Sequence, residues 1–169
     1  MKKNLALTGM MGVGKSTIGR ALSKKLLMRI SDIDRIIENK LKMSIQEIFD
    51  QKGESFFRAF EEKITLLEVE KKNTIISLGG GAFINSKIRK KILTNSKSFW
   101  LDLDIKLLGT RLLKSKKRPL LNDKDLKITL EKIYNERKDT YAFANYRIKC
   151  DRLNINSTTG KIIKLYANN

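Results

Sequence analysis

Gly9-Met10-Met11-Gly12-Val13-Gly14-Lys15-Ser16-Thr17 satisfies the pattern Gly-x4-Gly-Lys-Ser/Thr of a phosphate-binding loop. Leu5-Ala6-Leu7-Thr8 before it reads as a short buried strand, and Ile18, Ala21, Leu22 and Leu26 after it recur at helical spacing. The loop therefore opens a helix whose first N–H groups lack internal partners and face an anion. The glycines let the backbone wrap closely around a polyphosphate. Gly12, Val13, Gly14, Lys15, Ser16 and Thr17 are the candidate triphosphate contacts. Lys15 supplies a mobile cation for the β- and γ-phosphates. Ser16 offers a hydroxyl to Mg2+, a hard cation that takes oxygen ligands. The loop implies a nucleoside triphosphate bound with Mg2+.

A chain of 169 residues with 41% hydrophobic and 32% charged residues fits one globular domain, 1–169. No apolar run approaches the ~20 residues that span a bilayer. Met1-Lys2-Lys3-Asn4 leads straight into the first strand with no signal-peptide pattern, so a cytoplasmic location and no membrane partner are expected. Cys150 is the single cysteine, read as a small apolar core residue, which excludes a disulfide framework or a cysteine metal site. The absence of histidine removes histidine ligands and histidine general bases. The net charge of +18 is spread along the chain, as on a solvated surface, so no nucleic-acid partner is expected. Its one dense cluster is Lys114-Ser115-Lys116-Lys117-Arg118.

Strand and helix patterns alternate, which argues a three-layer α/β sandwich on a parallel sheet. Met28–Ser31 is a candidate second strand with Asp32 and Asp34 at its C-terminal end, where ligands bind in open parallel sheets. Ile36, Ile37 and Leu41 mark one helix and Ile45, Ile48 and Phe49 another; Gly53 breaks that pattern, and Phe57, Phe60, Ile64 and Leu67 mark one face of a longer helix. Thr74–Leu78 is a β-branched central strand ending at Gly79-Gly80-Gly81, either a close approach of backbone to ligand or a flexible turn. Asn85 or Ser86 caps a helix carrying Ile88 and Ile92, Ser98–Leu101 is the fourth strand with Trp100 in the core, and Asp104 caps a helix with Leu107, Leu108 and Leu112 facing inward. Ser115–Lys124 is a basic stretch with the only proline, Pro119: a lid or an exposed connection. Leu130, Ile133, Tyr134, Arg137 and Tyr141 share a helical face. Arg147–Cys150 is a fifth strand, and a polar loop from Asp151 to Thr159 precedes a short last helix.

Size and the lid-like stretch favour a small-molecule kinase, and no Asn-Lys-x-Asp guanine motif is present. Phosphoryl transfer is mostly positioning and charge stabilisation. Without histidine, a carboxylate must orient the acceptor hydroxyl, and Asp32 and Asp34 are the natural pair; Asp34 could instead cap the helix after it. Arginine clamps a carboxylate bidentately, and Arg58, Arg118 and Arg137 stand out against a lysine-rich background. Arg58 could also form an ion pair with Glu54 or Glu62 at i−4 and i+4. A kinase for gluconate or a nucleoside monophosphate and a non-enzymatic nucleotide-binding relative are the rival readings.

Gly9–Thr17, Asp32-Ile33-Asp34, Gly53-Glu54-Ser55-Phe56-Phe57-Arg58, Gly79-Gly80-Gly81, Arg118-Pro119-Leu120-Leu121 and Arg137 before Thr140-Tyr141 come in the order and spacing of the shikimate kinase family, which the chain resembles from about Leu5 to Tyr146. The resemblance implies the P-loop nucleoside-monophosphate-kinase-like fold with a five-stranded parallel sheet in order 2-3-1-4-5. It implies transfer of the ATP γ-phosphate to the 3-hydroxyl of shikimate, a step toward chorismate and the aromatic amino acids. It implies an acceptor-binding region at about 32–61, a lid at about 112–125, and a monomer. Asp34 resembles the residue that holds, and deprotonates, the hydroxyl. Arg58 and Arg137 resemble the carboxylate clamp, Gly79, Gly80 and Gly81 the backbone contact, and Phe49 and Phe57 the apolar walls. Arg118 resembles the lid arginine that reaches the phosphates, and Ser16 and Asp32 the Mg2+ side. Arg111 resembles the position over the adenine, and Arg152 lies near a nucleotide-contacting position. The chain departs from the family's usual pattern with Ile33 in place of a small hydroxyl residue, Leu27 in place of glycine and Arg29 in place of proline.

Overall fold

β1 (Asn4–Thr8) and β3 (Thr74–Ser77) are buried along their whole lengths. A strand whose alternate side chains are all buried needs cover on both faces of its sheet. The computed structural model, which describes residues 3–114 and 123–168, supplies that cover with crossover helices. In chain order, α1 (Lys15–Leu26) follows β1, then come β2 (Arg29–Asp32), α2 (Ile33–Leu41), α3 (Ile45–Val69) and β3. A 3-10 turn (Ala82–Ile84) and α4 (Ser86–Asn95) lead to β4 (Ser96–Asp102), and α5 (Ile105–Lys114), α6 (Asp123–Tyr141), β5 (Tyr146–Lys149) and α7 (Ile155–Ala167) complete the order.

The five strands form one sheet in order β2-β3-β1-β4-β5, as expected, and every pairing is parallel. Leu5 stands opposite Ile75 on one side and Lys97 on the other. Because the strands run one way, their C-terminal ends fall on one edge, and the phosphate-binding loop, Asp32 and the three glycines all follow there. The opposite end of the sheet is pinned by Asn4. Its side chain donates to the Val69 and Lys71 carbonyls (3.0 and 2.6 Å) and accepts from the Thr74 N–H (3.0 Å), tying the end of α3 to the start of β3. A buried amide in a central strand is tolerated because all three bonds are made.

Local signals account for the helix boundaries. Ser44 and Glu47 form a reciprocal capping box at the start of α3, Asn85 caps α4, and the Asp104 carboxylate accepts from the Lys106 and Leu107 N–H groups. Gly53 does break the helical pattern, with φ 80° and ψ 165°, yet the two halves of α3 continue across that kink. Two expectations fail. Leu67 and Leu107 are exposed rather than inward (57% and 42%); on α3 the inner stripe is Phe57, Glu61, Ile64, Thr65 and Glu68, so polar residues occupy positions that an apolar count assigns to leucine. The polar loop after β5 is shorter than expected, because the Asn154 side chain accepts from the Ser157 N–H (2.8 Å) and starts α7 at Ile155. The lid expected at about 112–125 falls largely on residues 115–122, outside the described residues, and so do Arg118 and Pro119.

Leu27, placed where the family's pattern has glycine, ends α1 in the left-handed conformation (φ 53°) with its side chain 85% exposed. A β-carbon in that conformation costs ~1–2 kcal/mol, which glycine avoids. Leu27→Gly is expected to stabilise the protein by about 1 kcal/mol, read as a higher urea midpoint; a lower midpoint would show that the leucine makes a contact worth more than the strain.

Candidate active site

The phosphate-binding loop joins β1 to α1. Gly9 adopts φ 133°, and a β-carbon there would collide with the Leu101 carbonyl of β4, so the turn off the strand is closed to other residues. Gly14 is the N-cap of α1 and makes no side-chain cap, and the first turn carries no acidic residue. The helix N-terminus is thus left to an anion from outside. Lys15 is buried, its ammonium donating to the Gly9 and Met10 carbonyls at 2.7 and 2.8 Å. Burial lowers its pKa from 10.5 to about 8, against the opposing pull of the Asp34 and Asp32 carboxylates.

A cleft of about 620 Å³ lies beside the loop. Gly12, Val13, Gly14 and Thr17 line it on one side and Leu153, Asn154, Ile155 and Asn156 on the other. Arg111 of α5 lines it as well and donates to the Val13 carbonyl (3.4 Å). Arg152 is exposed and is not part of the lining; the cleft wall comes from the residues after it. The sequence signal for them was the helix-capping Asn154, hidden in what reads as a featureless polar loop. Cys150 lines the same cleft, its thiol donating to the Ile148 carbonyl and pushed up to about 11 by burial, so it stays protonated and behaves as a packing residue.

A second cleft of about 420 Å³ is lined by Glu54, Arg58, Glu61, Gly81, Ile84, Asn85, Glu136 and Arg137. Arg58 bonds Glu61 at 2.8 Å and Glu54 at 3.2 Å. The expected partner at i+4, Glu62, instead accepts from Asn85 and Lys87 (2.7 and 3.1 Å). The i+3 residue faces inward and the i+4 residue outward on α3. Phe49 and Phe57, with ring centroids 4.7 Å apart, lie under the Arg58 guanidinium at 5.8 and 5.1 Å. They support the arginine from below rather than line the cleft.

Glu61 is the residue that spacing missed. It is 2% exposed, its Oε1 has no hydrogen-bond partner among the described residues, and burial raises its pKa against the opposing charge of Arg58. The only sequence signal for it was its position one turn after Arg58 on the same face. Asp34 lies in the first turn of α2, whose N-cap is Asp32, and desolvation raises the Asp34 pKa while the Lys15 charge opposes the rise. The capping alternative for Asp34 therefore falls. Gly79 brings the two carboxylates together: a β-carbon there would sit 2.8 Å from the Asp34 Oδ1 and collide with the Glu61 Oε1. At Gly81 it would meet the Arg58 guanidinium at 2.8 Å. These glycines stand close against the Asp34, Glu61 and Arg58 side chains. Arg137 donates to the Gly80 carbonyl at 3.2 Å.

Comparison with known proteins bears on the family and the fold. The model of the shikimate kinase family matches residues 11–166. A shikimate kinase from Sulfurihydrogenibium sp. is 41% identical over 150 residues, 89% of each chain. One from Bacillus licheniformis is 39% identical over 165 residues, 96% of this chain and 93% of the relative. Among solved structures, Bacteroides thetaiotaomicron shikimate kinase superposes with a TM-score of 0.90 at 29% identity, over 96% of this chain and 97% of that one. The Acinetobacter baumannii shikimate kinase in complex with shikimate gives 0.89 at 29% identity, over 96% and 92%.

The buried ammonium makes a stability prediction. Below about pH 8 Lys15 is charged in both folded and unfolded chains, and the full desolvation cost weighs on the fold; as pH rises from 8 toward 10.5 the folded chain releases the proton first and the cost fades. Lys15→Met is therefore expected to raise the urea stability of the nucleotide-free protein at pH 7, on the order of 1–3 kcal/mol, by an amount that shrinks above pH 8. ATP turnover should be lost in the same variant. A destabilised Lys15→Met protein at pH 7 would show that the two carbonyl bonds outweigh the burial.

Proposed function

The chain belongs to the shikimate kinase family, ATP-dependent enzymes of aromatic amino acid biosynthesis, and we propose that its two clefts hold ATP and shikimate with the 3-hydroxyl of shikimate and the γ-phosphate meeting between Asp34 and Lys15. The observation that carries this reading is the geometry at Gly79, which brings Asp34 beside Glu61, the buried partner of Arg58 in the second cleft. Asp34 is the largest charge opposing the desolvation of Lys15, and Lys15 the largest opposing that of Asp34.

Asp34 accepts the hydroxyl proton, or holds the hydroxyl in line, as the phosphoryl group departs from ADP. Its raised pKa brings it nearer to neutral pH than a surface aspartate, which suits a base. Lys15 and the loop N–H groups, of Gly12, Val13, Gly14, Ser16 and Thr17, hold the phosphates, and Arg111 borders the nucleoside. Arg118 is assigned to reach the phosphates from the lid, and closure of the lid excludes water and limits hydrolysis. Arg152 is left without a role.

Arg58 and Arg137 clamp the shikimate carboxylate. The two Arg58 ion pairs divide the work. The Glu54 pair is exposed, worth about 0–1 kcal/mol, and readily exchanged for a substrate carboxylate. The buried Glu61 pair stays and holds the guanidinium in place. Mg2+ fits this site on the strength of Asp32, whose buried Oδ2 has no hydrogen-bond partner among the described residues, together with the Ser16 hydroxyl. One or two protein ligands suffice for a Mg2+ that travels with ATP, and Asp32 and Ser16 would hold it where it would supply neutralisation of phosphate charge. We assign the protein to the cytoplasm as a monomeric single domain without a nucleic-acid partner; no helix among the described residues is long and apolar enough to cross a membrane.

The test is ADP release by purified protein with Mg2+ and ATP. Shikimate should stimulate it strongly, while gluconate, AMP and CMP should not; equal stimulation by any of these would overturn the acceptor assignment. Asp34→Asn should lower kcat by about 10²–10⁴-fold with a far smaller change in the shikimate KM. The acid limb of the wild-type kcat/KM profile should lie above the ordinary aspartate value of 3.8. A turnover number unchanged in Asp34→Asn would remove the residue from the chemistry.

A further inference from the structure

Tyr141 closes α6 with its ring fully buried and 5.8 Å from the ring of Trp100. A phenylalanine would fill the same space. The hydroxyl has a particular address, the Gly80 carbonyl at 2.5 Å, which also accepts from Arg137 at 3.2 Å. Two donors from successive turns of one helix thus converge on one carbonyl, and a carbonyl oxygen has lone pairs for both. We propose that Tyr141 is a positioning residue for the acceptor: by holding the Gly80 carbonyl it sets the peptide that presents the Gly81 N–H.

Three observations support this, and they rest on the reading of the second cleft as the shikimate site. Gly79, Gly80 and Gly81 have no side chains with which to fix their own peptides, so their orientation must be imposed from outside. The chain has no cis peptide among the described residues, and the C=O and N–H of a trans peptide point in opposite directions. Holding the Gly80 oxygen therefore fixes the direction of the Gly81 N–H, and Gly81 lines the cleft beside Arg137. Among the described residues no backbone carbonyl or side chain accepts from that N–H. The other side of Gly80 is blocked, because a β-carbon there would stand 3.0 Å from the Met11 backbone nitrogen. The peptide is wedged between the phosphate-binding loop and the Tyr141 hydroxyl.

Removing the hydroxyl leaves Arg137 as the sole side-chain donor to that carbonyl, so both the peptide and the arginine lose a constraint. Tyr141→Phe is expected to raise the shikimate KM about tenfold, the loss of one well-made hydrogen bond. The ATP KM and kcat should stay within about twofold. Shikimate affinity without ATP, followed by the fluorescence of Trp100, the only tryptophan, should weaken by the same factor. Urea unfolding checks that the variant is folded. An unchanged shikimate KM and affinity would overturn the proposal, and so would parallel changes in shikimate KM, ATP KM and kcat, which a general loosening would produce. Wild-type protein that ignores shikimate would overturn the acceptor assignment itself, whereas a responsive wild type with an unaltered Tyr141→Phe would overturn this role alone.

Discussion

A charged ammonium held out of water between two backbone carbonyls is the constraint on which the site depends. Lys15 cannot be neutralised by a direct ion pair without losing its purpose, so the fold leaves it short of compensation and surrounds it at longer range with Asp32, Asp34 and Glu61. Those carboxylates carry the same difficulty. Desolvation raises Asp34 and Glu61, and Asp32 and Glu61 each keep a buried oxygen without a hydrogen bond among the described residues. Buried charges of both signs thus stand close together at this end of the sheet.

The sheet makes such a concentration of charge bearable. Parallel strands end together, so loops from β1, β2 and β3 meet at one edge without any helix having to bend toward them. At the other edge Asn4 satisfies three backbone groups and anchors α3, the helix that delivers Arg58 and Glu61. The apolar pair Phe49 and Phe57 under Arg58 completes the support, holding a cation over ring faces where water has little access.

What could be read from the sequence follows what local spacing encodes. The phosphate-binding loop was legible because fixed glycines specify backbone, the strand order came from the family resemblance, and Arg58, Asp34 and Gly79 to Gly81 were singled out as members of that family's motifs. Glu61 was not, since an i+3 partner carries no more weight in a sequence than the i+4 partner Glu62, and only the packing of α3 decides between them. Leu67 was misplaced for a related reason: burial of Glu61, Thr65 and Glu68 turns the inner face of α3 away from the apolar stripe. The start of α7 depended on one asparagine cap in a run of polar residues. Arg152 was drawn from motif proximity alone, and proximity in sequence does not fix which side of a turn meets a ligand.

The central place of β1 has a consequence for how the chain is made. Leu5 pairs with Ile75 and with Lys97, so the first strand to leave the ribosome has no neighbour until β3 follows and no second neighbour until β4 does. Contacts of such long sequence separation close slowly. During synthesis the apolar β1 must wait, unpaired, until the chain has been made as far as β3. The helix α1 and its glycine-rich loop can form early by local contacts, but the pocket they border takes shape only once the sheet has closed around that first strand.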